Sequence, residues 1–237
     1  MSQRNEIAAL HALTSQYKRR LASAKQIIQQ AHDLGLPAYM SLSGGKDSTI
    51  VYSLVRQVQP EIPAVWSDDE WWLPETMEYI QRLQAAGCNV CQIRTQTRHT
   101  EWFACQGEHK DLQHYTRQNG WQLCYLGLRQ EESSIRRMHL RTYGPLFYAQ
   151  GDQYWHCNPI HDWTWRDVWA YIVSTDLDYN KAYDRLEQLG VDPEHQRIGP
   201  LATKSVLRYG QLAILKRGWP DLFNRFAAAH PEALNYV

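Results

Sequence analysis

The sequence has no long apolar run, no net charge and few cysteines, and each lack closes off a class of protein. No stretch approaches the ~20 consecutive apolar residues that cross a bilayer, and the polar start Met1-Ser2-Gln3-Arg4-Asn5-Glu6 is unlike a secretory leader. Lys plus Arg number 25 and Asp plus Glu number 25, so bulk attraction to polyanions is excluded and only local basic patches remain. Five cysteines, odd in number and without framework spacing, exclude a secreted disulfide scaffold. Cys88-Asn89-Val90-Cys91 has the spacing of a metal or redox pair, yet no second Cys-x-x-Cys completes a zinc site. Both are expected as buried apolar groups on a strand, as is Cys124. Repeats, low-complexity tracts and long linkers are absent as well. The expectation is a soluble cytoplasmic protein with reduced thiols and no membrane segment.

What is present suits a single large core. Of 237 residues, 43% are hydrophobic, which gives ample apolar material to bury. Arg outnumbers Lys by 18 to 7, a bias towards the planar fork that matches phosphate and carboxylate. Ile7, Leu10, Leu13, Tyr17, Leu21, Ala24, Ile27 and Ile28 recur at three- and four-residue steps, predicting one helix up to about residue 35. Strands are then predicted at 38–42, 62–66, 88–94 and 121–127, with helices between them from Ser48 to Val58, after Pro74, and around 110–119. That alternation predicts an α/β fold, a mostly parallel twisted sheet with helices on both faces. Beyond it come a helix over 130–141, a hairpin over 145–157, and a helix opened by a Thr164–Asp167 capping box. Residues 1–200 are expected to form the main domain. Residues 201–237 form a helical C-terminal extension, broken at Gly218-Trp219-Pro220.

The chemistry points to Ser43-Gly44-Gly45-Lys46-Asp47-Ser48, which lies between a strand and a helix. Glycines let backbone approach an anion, the helix start aims N–H groups at it, and the serines add donors. The four-residue spacer and Gly-Lys-Ser/Thr ending of a Walker loop are missing. Instead the segment resembles the pyrophosphate loop of the N-type ATP pyrophosphatases, the Rossmann-like adenine nucleotide α-hydrolase superfamily. Within it the chain resembles the phosphoadenosine-phosphosulfate reductase family, through three more segments. These are Pro74-Glu75-Thr76; Gly127-Leu128-Arg129 running through Glu132-Ser133 to Arg136; and Pro159-Ile160-His161-Asp162-Trp163-Thr164 with Asp167-Val168-Trp169.

The resemblance implies a site for ATP and Mg²⁺ at the C-terminal edge of the sheet, with cleavage between the α- and β-phosphates. Carried over, Ser43, Gly44, Gly45, Asp47 and Ser48 bind pyrophosphate, with Lys46 at a position that varies in the superfamily. Ser41, Asp68, Gly127 and Arg129 are further expected nucleotide contacts, and Arg197, which stands where the family has a Gly-Tyr-x-Ser-Ile-Gly stretch, is expected to hold another phosphate. Asp47, Arg129 and Arg136 act on the phosphates, and Asp47 reaches the metal. Gly127 lets the backbone approach the nucleotide. Arg129 and Arg136, seven residues apart, share a helical face if the helix begins early, and Glu131 and Glu132 are their nearby acidic neighbours. Asp68, Asp69 and Glu70 are candidates for metal or ribose.

The pattern also breaks. Reductases of the family carry a C-terminal Glu-Cys-Gly-(Leu/Ile)-His segment, whereas here no cysteine follows Cys157. No paired cysteines for an iron–sulfur cluster are present either. Without that C-terminal cysteine the chain resembles the ATP pyrophosphatases of DNA phosphorothioation, which implies adenylation of an acceptor for sulfur incorporation and not thiol-dependent reduction. Expected partners are ATP, a nucleic acid and a sulfur-donor protein such as a cysteine desulfurase; oligomerisation stays open. Cys105 and Cys157 are the candidate sulfur-carrying thiols, and His99, His156 and His161 candidate metal ligands. Trp71, Trp72 and Trp102 are candidates for base stacking. Arg137, Arg141, Arg208, Lys216, Arg217 and Arg225 provide local basic character. An FMN adenylyltransferase-like enzyme and a non-catalytic nucleotide sensor stand as alternatives.

Overall fold

The computed structural model describes residues 2–68, 71–94, 107–199, 201 and 210–237. Two helices lead, α1 (Gln3–Ala12) and α2 (Ser15–His32), where one was expected. The break is made by Thr14, whose extended backbone turns the chain and whose hydroxyl caps α2 by accepting from the Tyr17 N–H. α2 buries Tyr17, Ala24, Ile27 and Ile28, in line with its periodicity. α1 does not follow its pattern: Ile7, Leu10 and Leu13 are exposed. Its anchor is Arg4, which is buried, lies 3.8 Å over the Trp169 ring and pairs with Asp184 at 2.8 Å.

The alternation follows as β1 (Ala38–Ser41), α3 (Lys46–Arg56), β2 (Ala64–Asp68), α4 (Pro74–Ala85), β3 (Val90–Arg94), α5 (Gly107–Gln118) and β4 (Leu123–Tyr125). Pro74 opens α4, where its missing N–H costs nothing. The helix predicted over 130–141 is divided into a 3₁₀ turn (Gln130–Glu132) and α6 (Ser134–Tyr143). Ser133 sits between them, extended, and caps α6 by accepting from the Arg136 N–H. Next come the hairpin β5 (Leu146–Ala149) and β6 (Tyr154–Cys157), then α7 (Trp165–Ser174), α8 (Ala182–Gln188), α9 (Gln211–Gly218) and α10 (Pro220–Ala229). The Thr164–Asp167 capping box is formed, and the buried Asp167 carboxylate also takes His11 at 2.8 Å and Arg20 at 2.6 Å. This ties α1 and α2 to α7.

The six strands lie in the order β3-β2-β1-β4-β6-β5, all parallel except the β5–β6 pair. From β1 the chain moves outward through β2 and β3, then returns to place β4 on the other side of β1. The loops after β1 and β4 therefore diverge, opening a crevice at the C-terminal edge of the sheet. Leu212, Leu215, Phe223 and Phe226 of α9 and α10 join the apolar core that includes Met40, Ile50 and Trp66. No helix among the described residues is long and apolar enough to cross a membrane.

Several expectations are corrected. Cys88 precedes β3, and both it and Cys91 are half-buried because β3 is an edge strand. Cys157 lies within β6 and is fully buried, and burial pushes its thiol pKa well up, so it is no sulfur carrier. Trp72 is buried and packs against Trp66 with ring centroids 5.7 Å apart, while Trp71 packs edge-on to Phe226 at 5.3 Å. Neither is laid out as a base-stacking platform. Among the described residues no cluster of His, Cys, Asp and Glu is arranged to hold a metal, His156 and His161 included. Asp69, Glu70, His99, Trp102, Cys105 and Arg208 lie outside the described residues.

Candidate functional site

The loop from Ser43 to Ser48 links β1 to the first turn of α3. Gly44 has φ +71, and a Cβ there would stand 2.9 Å from the Thr76 Cγ2, so both the turn and its packing demand glycine. Gly45 is the N-cap of α3 and offers no side chain to occupy the helix start. The hydroxyls are set by one another. Ser43 and Ser48 Oγ are 3.0 Å apart, Ser48 Oγ donates to the Gly45 carbonyl at 3.0 Å, and Ser43 Oγ accepts from the Gly45 N–H at 3.3 Å. The N–H groups of Asp47 and Ser48, in the first turn of α3, meet no acceptor among the described residues. They remain for an anion, where the helix dipole favours one.

The loop is held from behind by residues that sequence reasoning missed. Asn180, fully buried, donates its amide to the Gly44 carbonyl at 3.1 Å and to Thr76 Oγ1 at 2.8 Å. Tyr183 accepts from the Lys46 N–H at 3.0 Å, and its ring lies 4.9 Å beneath the Lys46 ammonium. Lys46 Nζ donates to the Gln196 carbonyl at 2.8 Å. Burial pushes the Lys46 pKa below the usual lysine range even though Asp47 opposes it. No local periodicity marks Asn180, Tyr183 or Gln196, because their roles come from contacts across the fold.

The β4 side closes on the loop through Gly127. A Cβ there would meet the Asp47 carbonyl carbon and the Ser48 nitrogen at 2.7 Å. Its lack of a side chain lets two backbones approach each other, in addition to lining the cleft. Arg129 follows and is buried. Its Nε donates to Asp47 Oδ1 at 2.6 Å and its Nη1 to Glu131 at 2.6 Å, so the guanidinium braces Asp47 from outside the cleft. Burial alone would raise the Asp47 carboxyl pKa, but Arg129 and then Lys46 outweigh it and hold the group ionised below its ordinary range.

These elements enclose a cleft of about 310 Å³. Ser41, Ser43, Gly45, Lys46, Asp47, Ser48, Gly127, Glu132, Arg136 and Arg197 are among its lining. Gly44, Asp68 and Arg129 are not. Asp68 turns to β3 instead, accepting from Gln92 at 2.5 Å. Glu132 organises the two cleft arginines: Arg136 pairs with its carboxylate, and Arg197 donates to its backbone carbonyl at 2.7 Å. The pairing of Arg129 and Arg136 with Glu131 and Glu132 is thus real, and it positions Arg136 at the cleft wall. A slot of about 140 Å³ opens from the same edge, between Ser41 and Ser43 on one side and Val65, Trp72 and Leu112 on the other. For a divalent cation the cleft offers two carboxylates, Asp47, flanked by Lys46 and Arg129, and Glu132, which is taken up by Arg136 and Arg197. This suits an ion that brings its remaining ligands on a nucleotide, as Mg²⁺ does.

The chain is similar to known proteins over most of its length. The model of the phosphoadenosine phosphosulfate reductase domain matches residues 37–201. A phosphoadenosine 5'-phosphosulfate reductase of Synechococcus is 27% identical over 178 residues, covering 69% of this chain and 76% of the relative. An adenosine 5'-phosphosulfate reductase of Anoxybacillus flavithermus is 27% identical over 228 residues, covering 88% and 87%. Among solved structures, phosphoadenylyl-sulfate reductase from Candida auris, a phosphate complex, superposes with TM-score 0.60 at 15% identity over 75% of this chain and 88% of that one. FMN adenylyltransferase of Candida glabrata, in complex with ATP, gives 0.57 at 11% over 76% and 65%. The reductase names of the sequence relatives run against the expectation that this chain does not reduce sulfonucleotides, while its fold is shared with an adenylyltransferase as well. With a phosphate-shaped loop at the switch point of its sheet and a family match over most of its length, the chain belongs to the phosphoadenosine phosphosulfate reductase domain family.

Proposed function

We propose that this protein binds ATP in the cleft and transfers its adenylyl group to an acceptor, releasing pyrophosphate. The observation that carries the reading is the convergence of preset donors on one cleft. They are two hydroxyls, the first-turn N–H groups of α3, and the cations of Lys46, Arg136 and Arg197. The slot beside Val65, Trp72 and Leu112 suits a purine, so the nucleotide would run from that slot to the loop. An acceptor oxygen then bonds to the α-phosphorus, the bond to the bridging oxygen breaks, and pyrophosphate departs with its charge met by the loop and cations. Mg²⁺ carried on the phosphates would find Asp47 as its protein ligand and offset phosphate charge. Asp47 is kept ionised for that by Arg129.

Thiol-dependent reduction has little support in the cleft, because no described cysteine lines it. Sulfur incorporation into a nucleic acid is a second reading. It draws on Arg137 and Arg141, which are exposed on α6 beside the cleft residue Arg136 and have no acidic partner among the described residues. The test is pyrophosphate release from ATP and Mg²⁺ with FMN, DNA, tRNA or no acceptor, for wild type, Ser48→Ala and Lys46→Met. Release that falls about tenfold or more in both variants supports the reading. ATP binding with no release under any condition would replace catalysis by sensing.

A further inference from the structure

Beyond the wall that Arg197, Ile198 and Gly199 give to the phosphate cleft lies a second and larger cavity, of about 380 Å³. Its body is apolar, formed by Leu73, Leu186, Ile214, Leu215 and Trp219. Among the described residues its polar lining is Asp192, His195, Arg197 and Gln211, and the last two also line the cleft. Protein interiors are close-packed, and a void of this size falls in the range used for small ligands. The wall is rigid where it matters. Trp219 Nε1 donates to both oxygens of Glu75 at 2.8 and 3.0 Å, Arg185 lies 5.2 Å from the indole ring, and Arg185 also pairs with Glu75 at 3.1 Å. Because Glu75 precedes Thr76, which Asn180 joins to Gly44, the phosphate loop and the apolar cavity are braced by adjoining residues.

The two chambers differ in chemistry and share a rim. One gathers cations and N–H groups, and the other gathers hydrocarbon. A nucleotide accounts for the first and leaves the second unused. We propose that the second chamber holds the body of the acceptor, a small molecule with an apolar, ring-sized body and a carboxylate or phosphate oxyanion. The oxyanion crosses the Arg197 rim into the cleft. There its oxygen lone pair forms the bond to the α-phosphorus as the bond to the β-phosphate oxygen breaks, and pyrophosphate carries away the electron pair. The acceptor is already deprotonated, so no proton has to move. The inference rests on the adenylyl-transfer reading, and it favours a small acceptor over a polynucleotide, which would leave the apolar chamber empty.

The test uses 1-anilinonaphthalene-8-sulfonate, an apolar aromatic body with a single anionic group, titrated by fluorescence into wild type, Ile214→Trp and His195→Glu. Ile214→Trp fills the chamber. His195→Glu sets a negative charge at its rim on a side chain that is 60% exposed, where the substitution does not threaten folding. ATP binding is measured on the same proteins by calorimetry. The expected result is 1:1 probe binding, weakened about tenfold or more by each substitution, with ATP affinity unchanged within about twofold. Probe binding that is absent in wild type, or equal in all three proteins, overturns the cavity assignment whatever ATP does. Probe binding that responds as expected, on protein that does not bind ATP, keeps the chamber as a ligand site and removes the adenylyl-transfer reading beneath it.

Discussion

Arg129 offers the sharpest division between bracing the site and binding the phosphate. The Arg129 side chain is 4% exposed and that of Asp47 16%, and they meet at 2.6 Å. Replacing Arg129 by Met keeps much of the volume but strands the Asp47 carboxylate, with only Lys46 at 3.6 Å to answer it, and leaves Glu131 with the Trp165 N–H but without its cation. Breaking a buried pair from one side costs about 3–5 kcal/mol. A domain of this size is stable by roughly 5–15 kcal/mol, and each kcal/mol moves its melting point by roughly 2–4 °C. Arg129→Met should therefore lose a large share of total stability and melt on the order of 10 °C lower. Adding Asp47→Asn removes the stranded charge, so the double variant should recover part of the loss and be more stable than Arg129→Met alone. The assay is urea denaturation of the four proteins of the cycle, followed by tryptophan fluorescence and circular dichroism. If Arg129→Met cost less than about 1 kcal/mol and yet abolished ATP binding, the guanidinium would be a phosphate ligand and the bracing argument would fail.

Gly127→Ala should be poorly tolerated, because its Cβ would press on backbone atoms of Asp47 and Ser48 at 2.7 Å and neither chain is free to give. A cost of about 1–3 kcal/mol is expected, with ATP affinity down about tenfold as the α3 start is displaced; calorimetry showing unchanged binding would refute the close approach. Stability should also respond to mild acid. His156 and His161 are half-buried, and burial lowers both imidazole pKa values against the pull of Asp152 and Asp162. The unfolded chain then takes up protons near pH 6.5 that the folded chain refuses, so stability falls as pH drops below about 6.5. The urea midpoint should be lower at about pH 5.5 than at about pH 7.5, and His156→Gln with His161→Gln should shrink that difference.

The sheet and the loop were legible in the sequence because their signals are local. Alternating strands and helices announced a parallel sheet, and Ser43-Gly44-Gly45 followed by Ser48 places turn residues and a helix start at one point. Where one residue changes the local rule, the pattern misled. Thr14 splits a continuous apolar periodicity, and α1 then docks through Arg4 while Leu10 and Leu13 face outward. Ser133 separates a 3₁₀ turn from α6, so the seven-residue spacing of Arg129 and Arg136 does not place them on one face. Arg136 reaches the cleft wall and Arg129 stays behind it. Asp68 was expected at the cleft from its place after the predicted strand 62–66, yet it is the last residue of β2, and which way a side chain turns at a strand end depends on the neighbouring strand, here Gln92 of β3. Asn180, Tyr183 and Gln196 gave no local signal at all.

Those last three residues bear on the order in which the protein can become functional. They grip the loop at sequence separations of 136, 137 and 150 residues. At ribosomal rates of roughly 5–20 residues per second, the Ser43–Ser48 segment waits on the order of 10–30 s for the residues that lock it. Until then β1 and β2 can pair and α3 can form, since their partners are near in sequence, but Gly44 and Lys46 have no counterpart to hold their peptides in place. The nascent chain thus passes through a stage that has its central strands and lacks its anion site. The shape of the loop is thus completed only when residues 180–196 close over it, long after its own synthesis.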